Sequence, residues 1–125
     1  MILPTVLYIA GPFSHEDPIH GIPENILAAS KVALECVRRG FSVHCPHKNY
    51  AGFQHVEDVP WEFWCIADFA ILERCDAVLF LEGWANSEGA SREMQFAHEK
   101  GIPVFFVRDG IPDPGTVGRR YDGSK

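Results

Sequence analysis

No apolar run in this chain is long enough to cross a bilayer. The strongest, Ala77 to Leu81, is a fraction of the roughly 20 residues a membrane helix needs. The opening Met1-Ile2-Leu3-Pro4 shows no basic stretch followed by a signal-type apolar run, so a cytoplasmic protein is expected. Positive charge is scarce: Lys and Arg number 11 against 17 Asp and Glu, and no segment gathers them. A phosphate backbone is held by clustered cations, so polymeric nucleic acid is not an expected partner, and neither is a membrane. One small phosphorylated ligand is still allowed, because it needs only a few well-placed N–H donors. Cysteine pairs are lacking too. Cys36, Cys45, Cys65 and Cys75 have no C-x-x-C spacing and read as free thiols, most of them buried. His44, Cys45, His47 and His55 fall near one strand end, yet neighbours on a strand point to opposite faces and paired zinc-ligand spacing is missing. No metal and no cofactor is expected, and the histidines read as surface and loop residues.

What is present is an ordinary globular composition, 46% hydrophobic and 22% charged, over 125 residues, enough for one core. Val6 to Ala10 is a short apolar run stopped by Gly11-Pro12, which predicts a buried strand. Phe13 to Pro23 reads as a loop. From Glu24 apolar residues recur with helical spacing up to Gly40, with Arg38 and Arg39 in the last turn, where cations favour the helix dipole. Phe41 to Cys45 reads as a second strand and His47 to Val59 as a second long loop. Pro60 suits the first turn of a helix to about Arg74. Asp76 to Leu81 is a third strand, Ser87 to Lys100 a helix stopped by Gly101, and Pro103 to Val107 a fourth strand. Apolar strands alternating with helices predict an α/β fold: a doubly wound, Rossmann-like or flavodoxin-like parallel sheet of four to five strands. The ordered domain is expected over 1–107. The stretch 108–125 is rich in Gly, Pro, Asp and Arg, poor in aliphatics, and reads as a tail that is mobile or docked elsewhere.

Open parallel sheets bind ligands at the carboxyl ends of their strands. The most informative segment there is Glu82 to Glu93, where a strand end turns into a helix start. Ser87 or Asn86 can cap that helix, and Gly89 lets a ligand approach the free backbone N–H groups. Glu93, further along the helix, can turn back toward the mouth of the sheet. On the preceding helix Asp68 shares a face with Trp61 and Trp64. Each feature alone is also what an ordinary capped, solvated helix shows.

Together they resemble a family. Tyr8-Ile9-Ala10-Gly11-Pro12 looks like the Y-x-x-G-[PS] opening of the nucleoside 2-deoxyribosyltransferase superfamily. Asp68, Leu72 and Cys75-Asp76-Ala77-Val78 look like its D-x-x-x-L-x-x-x-D-x-[VI] segment. Ser87-x-Gly89-x-x-x-Glu93, followed by Ala97, is similar to its nucleophile segment. Leu81 to Trp84 most resembles a little-characterised phage and bacterial branch. The resemblance implies an N-glycosidase or deoxyribosyltransferase acting on a nucleoside or its 5′-monophosphate. Glu93 is then the nucleophile at C1′ of the sugar, Asp68 orients it or handles the proton of the departing base, and Tyr8 positions it. Gly11, Pro12 and Phe13 lie along the substrate, Phe13, Trp64 or Trp84 stacks on the base, and Gly89 admits the ligand. In the superfamily, serine at the position of Ser87 accompanies 5′-monophosphates and aspartate accompanies free nucleosides. The arginine that usually follows the first-strand glycine is absent, leaving His15, Arg92, a tail arginine or backbone N–H groups for the phosphate. The family also implies a homodimer or larger homo-oligomer, with Arg119 or Tyr121 reaching into a neighbour's site. Two other readings fit the same residues: a nucleotide-binding or sensing module without turnover, and a glycohydrolase acting on an NAD-type dinucleotide.

Overall fold

The computed structural model describes residues 1–13, 21–49 and 56–120. The elements run β1 (Val6–Ala10), α1 (Gly21–Arg38), β2 (Ser42–His44), α2 (Pro46–Asn49), α3 (Trp61–Leu72) and β3 (Ala77–Phe80), then α4 (Glu88–Lys100), β4 (Val104–Phe106) and α5 (Pro114–Val117), with short 3₁₀ turns at Trp84–Asn86 and Val107–Asp109. The four strands form one sheet in the order β2-β1-β3-β4. Every neighbouring pair is parallel, with Tyr8 opposite both His44 and Val78. This is the doubly wound α/β arrangement the apolar pattern predicts.

Strand periodicity sorts the core into two layers. Leu7, Ile9, Ala77, Leu79 and Leu81 face one side of the sheet with Ala29 and Cys36 of α1. Tyr8, Ala10, Val78 and Phe80 face the other with Leu72 of α3 and Ala90 and Ala97 of α4. Leu7, Ile9 and Leu79 are completely enclosed, and each such side chain contributes about 1.5–3 kcal/mol to folding. The alternation matters for function because it aims Tyr8 at α4. All four cysteines are buried. Among the described residues no helix is long and apolar enough to cross a membrane.

The structure departs from the sequence-based expectations in a few places. Helix α1 begins at Gly21, ahead of Pro23, because proline is tolerated in a first turn where its missing N–H has no helical partner. The expected second long loop opens with the short α2. Pro60 caps α3 from outside: its backbone is extended and its carbonyl accepts from Phe63 and Trp64. The stretch after Arg108 is not loose through Arg120. Val107, Ile111 and Val117 pack on the α1 side of the core, supplying apolar cover that the thin composition of the segment did not suggest. Arg120 then closes against Asp76: its N–H donates to Asp76 Oδ1 at 2.8 Å, and its guanidinium donates to the carbonyls of Glu73 and Cys75. Tyr121 and the rest of the tail lie outside the described residues.

Candidate active site

A cleft of about 530 Å³ opens at the carboxyl ends of the strands. In the strand order, β1 is flanked by β2 on one side and β3 on the other, which makes this the switch point where such sheets bind ligands. Its walls come from the end of β1 (Gly11, Phe13), from Pro46 and His47 after β2, from the α3 face carrying Trp61, Trp64 and Asp68, and from the start of α4.

Glu93 lies at its base. It is in the second turn of α4, on the stripe that also buries Ala90 and Ala97, and only 8% of it is exposed. The Tyr8 hydroxyl donates to Glu93 Oε2, joining β1 to α4 across the second core layer. Burial pushes the Glu93 carboxyl up to about 8; the Tyr8 hydroxyl pulls it down, and the charge of Asp68 pushes it further up. Asp68 is half-buried in the cleft wall. Two carboxyl groups and a phenol therefore meet at one end of a largely apolar pocket, an arrangement that separates proton affinities.

The start of α4 forms the opposite wall. Ser87 is the N-cap, its Oγ accepting from the Ala90 amide at 3.2 Å. At Gly89 an added Cβ would meet nothing within 4 Å, so the glycine faces open cleft. Gly11 differs. A Cβ there would lie 2.8 Å from Leu81, so its bareness serves the close approach of β1 to the end of β3, although the residue also lines the cleft.

Phe13 and Trp64 stand in the cleft wall and Trp84 does not. Gly83, at φ 86°, turns the chain so that Trp84 packs on Phe80 and Phe106, 5.3 and 5.8 Å between ring centroids. Phe13 sits beside the first strand and Trp64 on α3. Pro12 does not line the cleft; its carbonyl lies 2.7 Å from His47 Nε2. Arg92, considered above for a phosphate, is held by Glu62 at 3.1 Å and Glu88 at 3.8 Å, and lies over the Trp61 ring. Among the described residues lining the cleft there is no lysine or arginine. His15 lies outside the described residues.

His47 corrects the sequence reading, which took the histidines as surface and loop residues. His47 is only 3% exposed, lines the cleft and lies 2.7 Å through Nε2 from the Pro12 carbonyl. Burial pushes its imidazole below the ordinary value, against the opposing pull of the Pro12 and Gly11 carbonyls. Its place just after a strand's carboxyl end was the available signal. Among the described residues no three metal-ligating side chains converge.

The family described as Domain of unknown function (DUF4406) matches residues 5–106. The chain belongs to that family. No curated protein matches this DUF4406 chain in sequence. A solved 2-deoxyribosyltransferase from the psychrotolerant bacterium Bacillus psychrosaccharolyticus matches in structure, with a TM-score of 0.56 at 19% identity, over 96% of this chain and 94% of the other. The DUF4406 chain thus shares the deoxyribosyltransferase fold, in agreement with the motif resemblance.

Proposed function

We propose that the protein cleaves or transfers the N-glycosidic bond of a nucleoside or nucleoside 5′-monophosphate, with Glu93 as nucleophile. The observation that carries this reading is the Tyr8–Glu93 pair: a buried carboxyl at the base of an aromatic-walled cleft, aimed by a phenol from the neighbouring strand. Departure of a base leaves an oxocarbenium-like sugar, which a carboxylate stabilises first by charge and then by a covalent bond. In the productive form Glu93 is the carboxylate and Asp68 carries a proton, and the raised proton affinity of Glu93 brings that form in as pH climbs toward 8. A Glu93 oxygen then bonds to C1′ while the C1′–N bond breaks. The base leaves with the bonding electrons and takes the proton from Asp68. Water, or a second base, attacks C1′ next, freeing Glu93 and returning a proton to Asp68.

The 5′ end of the substrate is assigned to the start of α4. Ser87 is neutral there, and the amides of Glu88 and Gly89 precede the first helical acceptor, so a phosphate meets N–H groups and the positive end of the dipole. A homodimer is part of the proposal, as is a cytoplasmic setting. Because Arg120 is engaged by its own chain, the cross-subunit candidates are Arg119 and Tyr121.

The raised proton affinity of Glu93 favours a second reading, a binding module whose acid stays protonated and does not attack. One experiment separates them. Products are resolved by chromatography after incubation with mixed nucleosides and 5′-monophosphates between pH 6 and 9. Base release that grows toward pH 8 supports the enzyme; binding with no release at any pH supports the module.

A further inference from the structure

The hydrogen-bond ladder of β1 ends where Leu81 donates to the Ala10 carbonyl at 2.8 Å. Beyond it the chain runs through Gly11, Pro12 and Phe13 along the edge of the cleft. Two side chains hold that segment. Asn25 of α1 donates to the Phe13 carbonyl at 3.1 Å, and His47 Nε2 lies 2.7 Å from the Pro12 carbonyl. A carbonyl only accepts, so Nε2 carries the hydrogen, in the neutral and the charged ring alike. Pro12 also abuts the loop after β3: a Cβ at Gly83 would lie 3.2 Å from Pro12 Cγ. The His47 ring, finally, stands edge-to-face with Phe13 at 5.7 Å.

We propose that His47 is a positioning residue that fixes the Gly11–Pro12–Phe13 loop, and with it the Phe13 wall of the cleft, by donating Nε2–H to the Pro12 carbonyl. Pro12 has no N–H with which to join a backbone ladder, so its carbonyl is the only main-chain handle at that residue. The handle is gripped from the strand on one side of β1 while Gly83 presses from the strand on the other. One proline thereby ties together the loops of β1, β2 and β3, the three that frame the cleft. A ring against which a flat ligand rests is useful only if it stays put, and the same imidazole that grips the carbonyl backs the ring. His47 bonds to no group at Glu93, so its loss acts on binding rather than on the bond-breaking step.

The link to substrate rests on the glycosidic reading above; the grip on the loop does not, and the test reads the two separately. His47→Phe keeps a ring and removes the donor. His47→Gln carries an amide that reaches the Nε2 position, and His47→Asn one that falls short. Amide exchange at Gly11 and Phe13 is measured in the substrate-free proteins, KM and kcat for base release with nucleosides, and melting temperature as a check of folding. His47→Phe and His47→Asn are expected to speed exchange about tenfold and to raise KM about tenfold with kcat within threefold. His47→Gln is expected to stay within about threefold of the parent protein in all three. Should His47→Phe fail to fold, the contrast between Gln and Asn decides alone. Exchange unchanged in the Asn variant, or equal loosening in Gln and Asn, overturns the proposal. Loosened exchange in a protein that releases no base from any nucleoside supports the grip and overturns the enzymatic reading.

Discussion

Two buried acids stand at opposite ends of this sheet, and their surroundings explain why only one is a candidate for chemistry. Asp76, at the amino end, is 4% exposed and accepts backbone N–H groups from Val6 and Arg120, one at each oxygen, both at 2.8 Å. It fastens the start of the sheet to the segment that follows α5. Glu93, at the carboxyl end, is 8% exposed, bonds to one phenol, faces a second carboxyl and opens onto a cleft. Burial is similar; saturation with donors is not. An acid ringed by donors is a structural joint, whereas an acid given too few holds its proton abnormally tightly and becomes reactive.

Substitution at each acid tests that contrast. Glu93→Gln is expected to lower base release by about 10⁴-fold or more, read as single-turnover product formation, while the fold persists. It also changes stability in a pH-dependent way. The Glu93 proton affinity rises on folding from an ordinary 4.5 to about 8. Below 4.5 both states are protonated and nothing is lost. As pH rises from 4.5 to 8 the unfolded chain sheds a proton the folded one keeps, so folded stability falls, and above 8 the loss is complete. Urea unfolding of Glu93→Gln is therefore expected to lack this decline and to show a gain over the parent that is greatest at high pH. Equal pH dependence in both proteins would assign the decline elsewhere.

Tyr8→Phe sharpens the comparison by removing the one donor to Glu93 among the described residues. Base release is expected to drop roughly 10–100-fold, the range for a hydrogen bond to a charged group. Because Tyr8 pulls the carboxyl down, its loss moves the rising limb of the pH–rate profile to higher pH. A profile that drops without moving would place Tyr8 in packing alone. Asp76→Asn is the mirror experiment, with about 1–3 kcal/mol of unfolding free energy lost as one buried N–H loses its acceptor, and base release per folded molecule unchanged. The smallest effect is expected from Ser87→Asp, which should impair 5′-monophosphates about tenfold more than free nucleosides, through like charge in a partly dry site. Equal impairment would remove the phosphate from the start of α4.

Legibility from sequence followed how local the cause was. The strands were readable because Val6 to Ala10 and Asp76 to Leu81 carry their own apolar signal and their own stop residues. The Ser87 cap and the Gly101 stop of α4 were readable for the same reason. Tyr8 and Glu93 were identified by motif resemblance, and their meeting follows from strand alternation and a helical stripe. The rest depended on distance. Arg120 finds Asp76 from 44 residues away, and His47 finds Pro12 from 35, pairings no periodicity encodes. Trp84 misled because a left-handed glycine before it redirects the chain, and a lone Gly-Trp does not announce which way. Gly11 was expected along the substrate and does line the cleft, but the space left by its missing Cβ is taken by Leu81, a contact no local pattern encodes.

The joint at Asp76 has a practical consequence for handling the protein. It holds Arg120 beside the starts of β1 and β3, at the end of the sheet opposite the cleft. A resin, sensor chip or fusion partner attached downstream of Arg120 would hold the molecule by its back, with the mouth of the cleft turned to the solution. Attachment through the loops around Phe13 or Trp61 would do the reverse and block the entrance.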